Sequence, residues 1–330
     1  MSTKEKVLAA LENADGNYVS GTALAETLGI SRNSVWKAVN SLREDGFKID
    51  SLQNNGYRIS DERSFVYPER LQKYLSCEYL GKKVYCFKET DSTNNYAKKL
   101  AHENAPHGTT VIAECQTAGK GRMGRTFSSP AGTGLYMSVI LKMPIKAETA
   151  QLITSCAAVS VAQAIDSLCP AESKIKWVND IFINDRKICG ILTEASISFE
   201  TGMLDFAVVG MGINAYSVKN AFDSQLLETA SSIEDECGIV IDRSQLCAEI
   251  LSRFEKNLAM LENRQFIEEY RKRSCTIGNY VMVTKGNSQR QAYAFDIDDS
   301  ACLMVRYDDG SQEALNSGEA RIIKIKSDDK

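Results

Sequence analysis

Gly119-Lys120-Gly121-Arg122-Met123-Gly124-Arg125 is the stretch on which the fold turns. By pattern it fits G-x-G-x-x-G, a glycine fingerprint of dinucleotide-binding, doubly wound sheets. That fingerprint needs a helix opening at the glycines and an acidic residue about 20 positions on. Here Thr126-Phe127-Ser128-Ser129-Pro130 follows, which cannot start a core helix, and no acidic residue occurs from Cys115 to Ala147. The doubly wound reading fails. What remains is a loop with Lys120, Arg122 and Arg125 and no nearby anion to neutralise them. Glycines let backbone N–H groups approach a ligand closely, and the cations can neutralise phosphate or carboxylate. A solvated mobile loop is the plain alternative. Three cations set among three glycines, after a strand, favour an anion-binding lid.

Around this loop, residues 68–270 alternate strands and helices. Apolar runs predict strands at Val84–Phe87, Thr110–Glu114, Leu135–Leu141, Ile181–Ile183, Ile188–Glu194 and Phe206–Gly212. Helical spacing predicts Asn94–Asn104, Thr149–Leu168 and Arg243–Leu261. Asn184-Asp185 is a hairpin turn between two strands, and strand pairs joined by short turns favour a mixed sheet in an α+β domain.

Residues 1–63 read as a winged helix-turn-helix. Val7, Leu8 and Leu11 mark a first helix; Ser20 caps a second, ended by Gly29; Ser31 caps a third with Val35, Trp36, Val39 and Leu42 on one face. Phe47–Leu52 and Tyr57–Ile59 flank Asn54-Asn55-Gly56, a tight hairpin that forms the wing. Asp61-Glu62-Arg63-Ser64 is a polar linker, and structure restarts at Tyr67-Pro68. From about Thr276 the helical period vanishes. Tyr280–Val283, Ala292–Ile297, Cys302–Tyr307 and Ile322–Ile325, with a turn at Asp309-Gly310, predict a small, SH3-like β-barrel. The divisions are thus 1–63, 64–272 and 273–330.

Composition narrows the class. No apolar run approaches a bilayer-spanning length, and Met1 to Ala10 lack the layout of a signal peptide, so a cytoplasmic protein with no membrane association is expected. The ten cysteines form no C-x-x-C pair and no metal-ligand spacing, so no protein metal site is predicted. Only two histidines, His102 and His107, argue against a histidine-based triad. Net charge is −4, so any nucleic-acid site must be local.

Other clusters are ambiguous alone. Thr90-Asp91-Ser92-Thr93-Asn94 opens a helix and is explained by N-capping, and Gln116 follows an apolar strand. Lys176 and Asp180 flank Trp177 in Lys174–Asp180, which a surface ion pair would explain. Lys187 starts an apolar strand, where a buried cation needs an anionic partner.

In chain order, Asp91-Ser92-Thr93-Asn94, the run His107 to Gln116 leading into GKGRMGR, Lys176-Trp177-Val178-Asn179-Asp180, Lys187 to Leu192 and Gly210-Met211-Gly212-Ile213-Asn214 resemble the successive motifs of biotin–protein ligases. With the N-terminal domain and Gly318-Glu319 near the C-terminus, the resemblance spans nearly the whole chain and is to the bifunctional ligase and biotin-operon repressor type. It implies that biotin and Mg-ATP form biotinyl-5′-adenylate, and that the biotinyl group passes to a lysine of a carrier domain in biotin-dependent carboxylases.

The resemblance also implies roles. Lys187, Arg122 and Asp180 are the catalytic set. Ser92, Thr93, Asn94, Gln116, Lys120, Gly121, Arg122 and Lys187 face biotin. Gly119, Arg122, Arg125, Lys176, Asn179 and Asn214 face ATP. Ser31, Arg32, Asn33, Lys37 and Arg58 are the DNA contacts, and a ligand-promoted homodimer on operator DNA is implied. Lys120 stands where the family usually has Arg, Met123 where a third cation is common, and Val178 where Pro is usual; Arg321 does not keep the family's spacing after Gly318-Glu319. A lipoate–protein ligase and a non-catalytic biotin-sensing regulator are the alternatives. Neither explains the cationic lid together with Lys187, Asp180 and the helix-turn-helix.

Overall fold

The computed structural model describes residues 2–53, 55–60, 66–146, 149–198, 200–285 and 288–323. Asn54 of the wing turn, the linker at 61–64 with the 63/64 division, and residues 324 and 325 of the last expected strand lie outside them.

Serines start the N-terminal helices. Ser2 caps α1 (Thr3–Asn13) in a capping box with Glu5, Ser20 caps α2 (Gly21–Leu28), and Ser31 caps α3 (Arg32–Glu44). Gly29 ends α2 in the left-handed region, at φ 63°. The wing is an antiparallel pair, β1 (Ile49–Leu52) and β2 (Gly56–Ile59). Val7, Leu8, Leu11, Leu24, Val35, Val39 and Leu42 form the core of this unit. Trp36 does not join them; it is 54% exposed. It lies one residue, about 100° of helix, beyond Val35, and the buried stripe continues through Ala38 and Val39 instead.

Helix α4 (Pro68–Tyr74) carries Pro at its first turn and ties the two units together. Just before it, the Tyr67 hydroxyl donates to Glu12 of α1, and Arg70 reaches Asp242 with Nη2 at 2.7 Å.

The central sheet contains β3 (Val84–Phe87), β4 (Thr110–Ala113), β5 (Gly134–Leu141), β6 (Lys174–Lys176), β7 (Asp180–Ile183), β8 (Arg186–Ile197) and β9 (Leu204–Asn214). Its order is β3-β4-β5-β9-β8-β7-β6; only β3 and β4 run parallel. This is the mixed sheet of an α+β protein. Successive residues of its middle strands enter opposite cores. Ile112, Val139 and Val209 pack with α6 (Ala150–Leu168) and α9 (Arg243–Ala259), while Val111, Ile140 and Val208 pack with α5 (Thr93–His102). Burial on both faces is why these strands read as unbroken apolar runs. Asn184 and Asp185, at φ 49° and 62°, make the tight turn between β7 and β8. Short helices α7 (Ser224–Leu227) and α8 (Ile233–Cys237) follow β9, and α10 (Phe266–Arg273) leads into the last domain.

There β10 (Asn279–Lys285), β11 (Ser288–Ile297), β12 (Leu303–Tyr307), β13 (Gln312–Leu315) and β14 (Glu319–Ile322) form one antiparallel sheet in the order β13-β12-β11-β10-β14. A bulge between Ala294 and Asp296 bends it around Val281, Ala292, Leu303 and Val305. Strand β14 begins at Glu319, three residues before the expected Ile322, because Gly318, at φ 106°, turns the chain there. Trp177 fastens this domain to the sheet: its Nε1 donates to the Ala301 carbonyl at 3.0 Å.

Candidate active site

One cleft gathers most of the predicted residues. Ser92, Thr93, Asn94 and Gln116 line its inner end; Lys120, Gly121, Arg122 and Arg125 its lid; Lys176, Asn179, Asp180 and Lys187 the opposite wall. Gly119 and Asn214 do not line it. A Cβ on Gly119 would sit 2.3 Å from the Phe127 carbonyl oxygen, so that glycine serves loop packing. Asn214 is 4% exposed, with Nδ2 donating to the Ser231 carbonyl at 2.8 Å.

At the inner end, α5 begins without a side-chain cap from Ser92. Gln116 supplies the cap from another element. Its Oε1 accepts from Thr93 N at 2.8 Å and from Thr93 Oγ1 at 3.1 Å, and its Nε2 donates to Ser129 Oγ at 2.8 Å. The local N-cap reading of Ser92 therefore gives way to a long-range one, and the Ser92 hydroxyl keeps its place in the cleft.

On the opposite wall, strand register does the work. β7 and β8 slip between Ile181 and Phe182, and Lys187 Nζ comes 2.8 Å from Asp180 Oδ1, off hydrogen-bond alignment. Lys187 thus has the anionic partner that its strand position demands. The ion pair imagined between Lys176 and Asp180 is not formed; they pair through the backbone, and Lys176 Nζ lies 5.8 Å over the Phe182 ring.

The lid folds as a small loop. Gly121 N donates to the Arg125 carbonyl at 2.7 Å, and Met123, at φ 55°, stands at its exposed tip. Arg122 points inward, donating to Asn179 Oδ1 and to the Gly318 carbonyl, each at 3.0 Å. Arg125 grips Glu319 with both Nη atoms, at 3.1 and 2.7 Å. That guanidinium holds the Glu319 carboxyl below the usual range. Lys120 Nζ donates to Asn95 Oδ1 at 2.6 Å. The C-terminal domain therefore closes one side of the cleft, with Gly318, Glu319 and Ala320 in its lining.

Sequence reasoning missed Phe127 and the glycine floor beneath it. A Cβ on Gly212 would lie 2.4 Å from the Phe127 ring, and one on Gly190 would lie 3.1 Å from that ring and 3.3 Å from Lys187 Nζ. The spacing Gly210-Met211-Gly212 was the available signal: alternate glycines on one strand clear one face for something large. Ser138, at 0% exposure, was also missed; a lone serine in an apolar strand looks like ordinary core.

In the N-terminal unit, Arg32, Asn33 and Lys37 are exposed on α3. Ser31 is engaged as the helix cap. Arg58 pairs with Asp50 across the wing at 3.2 Å and lies 4.7 Å over the Tyr18 ring. No helix among the described residues is long and apolar enough to cross a membrane.

Fold and cleft together define an α+β enzyme with a cation-lined cleft, coupled to a helix-turn-helix. A model of the Biotin/lipoate A/B protein ligase family matches residues 86–214, and one of an HTH domain matches residues 3–58. The bifunctional ligase/repressor BirA of Bacillus subtilis (strain 168) is 33% identical over 323 residues, spanning 96% of this chain and 98% of its own. The protein of the same name from Escherichia coli (strain K12) is 28% identical, spanning 95% and 97%. A solved biotin protein ligase from Aquifex aeolicus, in complex with biotin and ATP, shares the fold with a TM-score of 0.62 at 23% identity, over 73% of this chain and 99% of its own. The chain belongs to the biotin–protein ligase family, as one of its bifunctional ligase/repressors.

Proposed function

We propose that the chain joins biotin and ATP into biotinyl-5′-adenylate, releasing pyrophosphate, and then passes the biotinyl group to one lysine of a carboxylase carrier domain, releasing AMP. The observation that carries this is the convergence of Thr93 and Gln116, the Lys187–Asp180 pair and the Arg122 lid on a single cleft. Ser92, Thr93 and Gln116 hydrogen-bond the ureido ring. Lys187 leaves Asp180 for the biotin carboxylate and the α-phosphate, where it stabilises charge developing in the transition state. Arg122, with the backbone at Lys120 and Gly121, covers the adenylate. Arg125, Lys176 and Asn179 border the nucleotide side, to which Asn214 contributes from behind, through the Ser231 loop.

Mg²⁺ fits as an ion that arrives with the phosphates. Such sites use one or two carboxylates plus phosphate oxygens, not a full protein cage. Among the described residues no three His, Cys, Asp or Glu cluster to hold a metal, while Asp180 offers the cleft a carboxylate whose Oδ1 receives no hydrogen bond. When bound, the ion neutralises phosphate charge. Asp180 orients either that ion or the incoming amine.

The chain is divided at 63/64 and 272/273, acts in the cytoplasm, and represses biotin genes as a ligand-promoted homodimer. Residues 1–63 hold eight Lys/Arg against nine Asp/Glu. One such domain gains little from counterion release, so paired half-sites and a few placed groups, Ser31, Arg32, Asn33, Lys37 and Arg58, must supply the affinity. The deciding experiment is incubation with labelled biotin or lipoate, Mg-ATP and a carrier domain. Transfer of biotin supports the proposal; transfer of lipoate alone overturns it. Promoter binding by the full chain should tighten with biotin and ATP, and equal binding with and without them would refute the coupling.

A further inference from the structure

Asn94 was expected against biotin, yet both ends of its amide are spent inside the protein. Its Nδ2 donates to Glu194 Oε2 at 2.8 Å, and its Oδ1 accepts from Ser138 Oγ at 2.7 Å. The other oxygen of Glu194 takes Lys98 Nζ at 2.7 Å. On the far side, Ser138 Oγ lies 2.8 Å from Thr93 Oγ1, which leads on to Gln116 and Ser129.

The direction of this chain is set at its outer end. Burial opposes ionisation of Glu194, but the hydrogen bonds from Lys98 and Asn94 outweigh it and hold the carboxyl low. A carboxylate only accepts, so Asn94 must turn its NH₂ to Glu194 and its carbonyl to Ser138. At the inner end, Gln116 Oε1 receives the Thr93 N–H, so its NH₂ must face Ser129, and the single Thr93 hydroxyl proton is shared between Gln116 Oε1 and Ser138 Oγ. Gly210 makes room for this arrangement: a Cβ there would fall 2.1 Å from Asn94 Oδ1. Lys98, Glu194 and Ser138 are not part of the cleft lining.

We propose that Lys98, Glu194 and Ser138 are positioning residues that act through Asn94 to orient Thr93 and Gln116, and so set the affinity of the cleft for the ring end of its acid substrate without touching it. This rests on the reading of Thr93 and Gln116 as the ring-binding pair. Ser138 and Asn94 are 0% and 4% exposed, and removing one partner leaves buried polar groups unpaired.

The test is steady-state kinetics of adenylate formation on the full chain. Ser138→Ala and Glu194→Leu should each raise KM for biotin about tenfold, with KM for ATP and kcat within about twofold of wild type. Glu194→Gln keeps an acceptor for Asn94 and should stay within about threefold. The double variant Ser138→Ala/Glu194→Leu should be little worse than either single one, because one chain is broken once. A biotin KM unchanged in both single variants, biotin and ATP KM values rising together, or fully additive effects would each overturn the proposal. Glu194 is partly exposed, so its variants decide the matter even if Ser138→Ala does not fold. If wild type activates lipoate and not biotin, the functional reading fails, and the same variants are scored on KM for lipoate.

Discussion

The two walls of the cleft are held in different ways. The inner end and the wall opposite it are buried or half-buried and held within one domain: Gln116 to Thr93 and Ser129, Asn94 to Ser138 and Glu194, and Lys187 beside Asp180. The lid has an exposed tip and is bonded across domains as well as to Asn179, with half-buried Arg122 on the Gly318 carbonyl and exposed Arg125 on Glu319. Buried polar groups cost much when they lose a partner, whereas an exposed ion pair contributes about 0–1 kcal/mol. The contrast assigns tasks. A wall fixed in place can bind the ring and stabilise a transition state, while a loop held by weak contacts can open for ATP and for the carrier lysine and close between them.

The largest effect is expected on the fixed wall. Lys187→Ala should slow adenylate formation at least about a hundredfold with the fold intact, since a preorganised transition-state cation supplies a few kcal/mol. Near-normal pyrophosphate release by this variant would make Lys187 structural and erase the contrast. Next comes the floor. Gly212→Ala drives a Cβ into the Phe127 ring, and an overpacking penalty of about 1–3 kcal/mol should raise KM for biotin by roughly tenfold. Adding Phe127→Ala to Gly212→Ala should relieve the clash; a double variant that shows no coupling would mean that the ring moves freely. The smallest effect belongs to the lid's outer fastening. The Arg125–Glu319 side chains are 66% and 38% exposed, so Glu319→Gln should speed loss of the adenylate by no more than about fivefold. A far larger change, measured by release of labelled adenylate, would show the latch to be as strong as the inner wall.

The same contrast governs what the sequence discloses. Helices with serine caps and a single buried stripe were legible, as α1, α2 and α3 show. Trp36 was misplaced because hydrophobicity says nothing about angle; one residue of offset turned it to solvent. Strands β6 and β13 went unread, being short and polar: Lys174-Ile175-Lys176 and Gln312-Glu313-Ala314-Leu315 offer one apolar side chain and one apolar pair, too brief for a period. In the cleft, residue identity was legible from ordered motifs, but orientation was not. That Gln116 caps α5 from 23 positions away, or that Asn94 faces inward to Glu194, depends on strand register. Gly119 and Asn214 carried motif signals yet stand behind the lining, where they shape the loop and the Ser231 contact.

If one cleft makes a reactive adenylate and its lid keeps it, formation and retention of that adenylate are separable. Wild type and Arg122→Gly are incubated with labelled biotin and Mg-ATP, without a carrier domain, then passed rapidly through a desalting column while pyrophosphate is measured in parallel. Wild type should release about one pyrophosphate per chain and keep the label. Arg122→Gly should go on releasing pyrophosphate, retain at least about tenfold less label, and mark bystander lysines. Equal retention by the two proteins, or retention and pyrophosphate release falling together in the variant, would mean that the lid does not hold the adenylate.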